Sequence, residues 1–159
     1  LIDDQSKTKK LESKTQREKK GIEDIGKFVS LKVENPTKDQ IEILIKAWLE
    51  SKAKILAGEG SEDLSLFVKE PLSKRLNQER DKDIKSEEKQ IIKAVIKSLE
   101  LESRTVKRIA VNVDLNYKDQ RIKSSGEIIS ETTIPSLKVK YVLGRERNLW
   151  QLVDYISGG

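Results

Sequence analysis

The 159-residue sequence contains no cysteine, no histidine and no methionine. Without cysteine there is no disulfide, no thiol nucleophile and no thiolate zinc site. Without histidine the Ser-His-Asp triad and imidazole general-base chemistry are excluded. Aromatic residues make up only 4 %, with two tryptophans, and proline occurs three times. Long apolar runs are missing too: no stretch of about 18 residues could span a bilayer, and no signal-peptide core is visible. The phosphate-cradling patterns GxGxxG after a strand and GxxxxGK[ST] do not occur. Asp81-Lys82-Asp83 lacks the other ligands and the glycine of a calcium loop. No metal or cofactor is therefore expected. The chain starts at Leu1, as expected for part of a longer or processed protein.

Charge is abundant instead. Charged residues form 37 % of the chain, against 35 % apolar, and the net charge is +5. Residues 7–20 hold Lys7, Lys9, Lys10, Lys14, Arg17, Lys19 and Lys20 against Glu12 and Glu18, with Leu11 as the one large apolar side chain. Such a segment buries too little apolar surface to offset its ordering entropy. Residues 1–35 are accordingly expected to be a basic, partly disordered linker or tail, with residues 36–157 as one α+β domain. The basic run suits either a soluble tether or contact with anionic lipid or nucleic acid. Nucleic acid is disfavoured, because the strand aromatics are not interleaved with basic residues and no RNP signature occurs.

Asn35-Pro36-Thr37 breaks the chain and opens a helix, with Thr37 as N-cap and Gln40 three residues on, the spacing of a capping box. Ile41, Leu44, Ile45, Trp48, Leu49, Ile55 and Leu56 then recur at helical spacing until Gly58. A second helix is expected from about Ser61, carrying Leu64, Leu66, Phe67 and Val68. Pro71 should interrupt it before a short continuation through Leu72 and Leu76 and a charged run at 78–85. Residues 87–99 fit helical spacing through Ile91, Ile92, Val95, Ile96 and Leu99, although their β-branched residues also tolerate a strand. After Arg104 the period becomes two. Ile109, Val111, Val113, Leu115 and Tyr117 alternate with smaller or polar residues, as do Leu137, Val139, Tyr141 and Leu143. Residues 118–133 read as a long connection or frayed strand ends. Gly144–Asn148 is a hairpin turn, and 149–156 the last strand. Helices first and antiparallel strands last define an α+β domain with helices on one sheet face.

Ile45-Lys46-Ala47-Trp48-Leu49-Glu50-Ser51-Lys52-Ala53 resembles the Trp-Leu-x-x-Lys-Ala hallmark of the intermembrane-space (IMS) domain of plastid-division proteins and their cyanobacterial cell-division homologues. Pro71-Leu72, the run 98–103, Ile109–Val113, Val139–Leu143 and Asn148–Leu152 follow in the family's order. The resemblance implies a cone of helices cupped by a curved antiparallel sheet, like nuclear-transport-factor-2. It also implies strand rather than helix in the disputed segment, with strand by about Ala94. It implies a non-catalytic protein–protein interaction domain, periplasmic or in the plastid intermembrane space, that receives a partner division protein. The parent would be membrane-anchored outside this segment; a cytoplasmic place stays open. Trp48, Leu49 and Lys52 are its signature core.

Within that frame Arg145 and Arg147 in the turn, with Lys140 beside them, are candidates to hold a partner's carboxylate over an apolar floor of Tyr141 and Trp150. A small-molecule binder or enzyme is the alternative. Strict alternation in the last strand would turn Asp154 inward with Trp150 and Leu152, where it could act beside Tyr141.

Overall fold

A computed structural model describes residues 22–25, 28–59 and 64–158. The basic run 7–20 lies outside them. Strands β1 (Ile22–Ile25) and β2 (Phe28–Leu31) precede helices α1 (Lys38–Leu56) and α2 (Glu70–Lys85). Strands β3 (Glu88–Arg104), β4 (Arg108–Lys123), β5 (Ile128–Glu146) and β6 (Leu149–Gly158) follow. All six strands form one antiparallel sheet in the order β1-β2-β6-β5-β4-β3. The α+β class and the helix-then-strand order are as expected. Leu31 pairs with Trp150 and is fully buried, so residues 22–31 join the sheet rather than the tail.

Helix α1 begins as its sequence dictates. The Thr37 side chain accepts from the Gln40 backbone N–H at 3.1 Å, and Gln40 Oε1 accepts from the Thr37 N–H at 2.9 Å. Its apolar stripe Ile41, Leu44, Ile45, Trp48, Ile55 and Leu56 is buried. Helix α1 packs against β2, β3 and α2, and α2 also packs against β3 and β6.

Two expectations are corrected. No helix runs through Leu64–Val68. That stretch is turn, and Val68 bridges Leu152 in parallel, with Leu152 N–H donating to Phe67 O at 2.8 Å. Pro71 does not interrupt α2. It sits in the first turn, where a missing N–H costs nothing, and the charged run 78–85 is the helix's second half. Residues 88–104 are one continuous strand, as the resemblance implies, and it is already under way before Ala94. Of the two readings of 118–133, the structure shows strand ends rather than a long connection. β4 and β5 continue through it to a turn at Ser124–Glu127, where Gly126 takes φ +94°. Pro135 falls beside a register shift in β5, a position where its absent N–H is tolerated.

Candidate partner-binding pocket

Strands β3, β4 and β5 are longer than the helices that cover them. The inner sheet face therefore runs on past α1 and leaves a pocket of about 390 Å³. Its wall on the helix side is Trp48, Leu49 and Lys52. Its floor is Ile92 and Ala94 of β3, Leu115 and Tyr117 of β4, Ile134, Leu137, Val139 and Tyr141 of β5, and Tyr155 of β6. Thus the helix residues of the Trp-Leu-Lys signature and the strand tyrosines meet in one cup.

The aromatic centre is a chain of three rings. Trp48 and Tyr155 have centroids 6.2 Å apart, and Tyr155 and Tyr141 6.1 Å, both tilted. Lys52 Nζ lies 5.7 Å from the Trp48 ring centre and 5.1 Å from that of Tyr155, and donates to the Tyr155 hydroxyl at 3.3 Å. Arg75 covers Tyr155 from α2, with Cζ 6.0 Å from the ring centre. Two cations thus sit on the rings, which favours them electrostatically. The rim carries one strong polar pair, the Tyr117 hydroxyl donating to Asp119 Oδ2 at 2.6 Å. Burial first, and then Asp119, push the Tyr117 phenol up; burial does the same to Tyr141. Both phenols therefore stay protonated at neutral pH and offer hydroxyls, not phenolates.

Lys140, Tyr141, Arg145, Arg147 and Trp150 do not form one site. Tyr141 is buried and reaches the pocket floor. Lys140 points to the helix-free face, where it pairs with Glu102 at 2.6 Å and holds that carboxyl below its ordinary range. Trp150 is 1 % exposed, and its indole N–H donates to Val33 O at 2.8 Å, so it is packed core rather than open floor. Arg145 donates to Asn148 Oδ1 at 2.8 Å across the turn, where Arg147 and Asn148 both take positive φ. The turn and the pocket lie towards opposite ends of the strands.

Asp154 does not turn inward. β6 gains one residue against β5 between Leu152 and Asp154, so the inward position after Leu152 falls to Tyr155. Asp154 is about half exposed and accepts from Arg75 Nη2 and from the Tyr155 N–H, each at 2.9 Å. It makes no pair with Tyr141, whose register partner is Tyr155. Tyr155 itself was missed because a bulge cannot be seen in alternation. Ile92, Ala94, Tyr117, Ile134 and Leu137 were missed because nothing in the sequence shows where helix cover ends. Among the described residues no cluster of acidic side chains is arranged to hold a metal ion, and no helix is long and apolar enough to cross a membrane.

The arrangement is that of a small α+β module: two helices on one face of an antiparallel sheet, with an aromatic cup left open beside them. Residues 41–153 match the family described as ARC6-like, IMS domain, and the chain belongs to that family of division-protein domains. The crystal structure of the intermembrane space region of chloroplast protein ARC6 is similar, with a TM-score of 0.63 over 77 % of this chain and 97 % of that one. Identity between them is 11 %, so the likeness is one of fold. No curated protein matches the chain.

Proposed function

We propose that this domain is a non-catalytic protein–protein interaction module of a membrane-anchored division protein. In this reading it lies in the periplasm or the plastid intermembrane space, and its inner-face pocket receives a segment of a partner division protein. We read the helices and sheet as a cone of the nuclear-transport-factor-2 type, with residues 36–157 as its body and the strands within 22–31 added at the sheet edge. The supporting observation is the pocket itself: apolar and aromatic, about 390 Å³, with Lys52 at its wall and the Tyr117–Asp119 pair at its rim. Sites of that size and character hold a few side chains of a docked segment, with a small number of polar groups fixing orientation. Lys52 is placed to meet a carboxylate over the Tyr155 ring. The site residues in this reading are Trp48, Leu49, Lys52, Tyr117, Ile134, Tyr141 and Tyr155.

The test is a titration of the domain with the soluble segment of the partner division protein from the same cell. Ile134→Glu places a charge on the pocket floor and is expected to weaken binding at least about tenfold, or 1.4 kcal/mol, with the melting temperature held. Equal affinity in that variant removes the pocket from the interface.

A further inference from the structure

The end of the sheet opposite the pocket carries a concentration of positive charge. Two hairpins meet there, β3–β4 at Thr105–Lys107 and β5–β6 at Arg147–Asn148. They are fastened together: the Arg145 N–H donates to Lys107 O at 3.0 Å, and the Arg108 guanidinium lies where any side chain at Gly144 would have to go. Positions 104–108 and 144–148 hold Arg104, Lys107, Arg108, Arg145 and Arg147 against the single acid Glu146. Glu146 is already engaged by Lys69 at 3.0 Å, which holds its carboxyl below the ordinary range. Lys32 and Glu34, which leave β2 at the same end, are both exposed and offset each other.

Two further observations point the same way. Val106, at the tip of the β3–β4 hairpin between these cations, is 76 % exposed, the most exposed large apolar side chain among the described residues. The register also runs across the sheet at this level from Ile22 to Leu31, from Leu31 to Trp150 and from Trp150 to Arg145. The chain therefore enters the sheet at this end. The residues that lead into Ile22 include the run 7–20, with seven basic and two acidic side chains.

We infer that this end of the domain docks on an anionic lipid surface, with Lys107 and Arg147 among the headgroups and Val106 at the interface. A folded acidic partner would need shaped recesses to meet the cations. Here Lys107 and Arg147 are exposed on two hairpin tips beside the exposed apolar Val106, which suits a broad, fluid, negatively charged plane. Basic side chains near such a surface are each attracted by about 1 kcal/mol, and an apolar tip adds burial at the headgroup boundary. The docking would point the partner pocket away from the membrane, but it rests on the charge and the exposed Val106 at this end and not on what that pocket binds.

The experiment is co-sedimentation of the full chain with vesicles of phosphatidylcholine alone, or with about one-third phosphatidylglycerol, at low and at raised salt. Binding is expected only to the anionic vesicles and should fall with salt. Lys107→Glu with Arg147→Glu is expected to weaken it about tenfold or more, with an unchanged melting temperature. Should the pair of changes disturb folding, Val106→Asp tests the same tip from a position that packs against nothing, and weaker binding is again expected. No sedimentation with anionic vesicles overturns the inference. So does undiminished binding in the folded variants, which would leave the tail alone as the membrane contact. Equal binding to soluble polyglutamate and to anionic vesicles also overturns it, in favour of an acidic polypeptide.

Discussion

Trp48 serves two masters. Its ring closes the α1 stripe against the sheet at 2 % exposure, and its edge forms the pocket wall beside Tyr155. Trp48→Ala removes a large buried side chain from a region that cannot collapse around the gap, so chemical denaturation should show a loss of about 3–5 kcal/mol. A change below about 1 kcal/mol would mean the ring is not part of the core. Tyr141 and Tyr117 make a second residue-scale prediction. Their phenols are pushed up by burial, and Tyr117 additionally by Asp119, so the folded chain keeps protons that the unfolded chain releases above about pH 10. Stability is then fully present below that value and falls as pH rises through it. Denaturation midpoints should hold to about pH 9 and drop by about pH 11, with a shallower drop in Tyr141→Phe. A midpoint in the parent chain that is level across this range contradicts the burial argument.

At the scale of elements, α1 was readable because its signals are local. Thr37, Gln40 and the apolar stripe all lie within the helix or at its cap, and all behave as the spacing predicts. Thr37→Ala should cost about 1 kcal/mol in thermal or chemical denaturation, and Thr37→Asn, which keeps the acceptor, much less. Equal losses would show that the capping oxygen contributes nothing. The strands 109–117 and 137–143 were equally legible, since one face is buried and the other wet. Elements that failed did so for identifiable reasons. Residues 118–133 show no alternation because the β4–β5 hairpin extends past its cover there, and exposed strands need no apolar face. Segment 87–99 mimics a helix because Ile91 and Val95 are apolar on the exposed face while Ile92 and Ile96 are apolar on the covered one. Pro71 reads as a breaker or as a first-turn residue equally well, and only the position of the turn before it decides.

The whole molecule has two chemically distinct ends, an aromatic cup and a pair of basic hairpins, and the sequence alone does not separate them. Trp48, Leu49 and Lys52 stand out in the sequence by resemblance and Tyr141 by alternation, and the fold brings all four to one cavity. Arg145 and Arg147 were joined to them on sequence proximity. In the folded chain the turn and the cup are divided by the length of the sheet: seven residues along β4 from Leu115 to Arg108, roughly 20 Å at the strand rise. Only the bulge at Val153 and the reach of β3 to β5 beyond α1 decide which side chains line the cup, and neither has a local signature. The bulge also dissolves the Asp154–Tyr141 pair, since it hands Asp154 to Arg75.

The two tryptophans offer the most direct measurement. Trp48 borders the pocket and Trp150 is enclosed in the core, so Trp150→Phe leaves a single indole at the proposed site. After confirming by circular dichroism that this variant is folded, the partner segment is titrated in while Trp48 emission is followed. The expected result is a saturable change in Trp48 emission. Adding Ile134→Glu should move its midpoint to at least about tenfold higher partner concentration. Partner binding that registers by calorimetry yet leaves Trp48 emission unchanged, or that is indifferent to Ile134→Glu, would contradict a pocket between α1 and the long strands as the place where the partner docks.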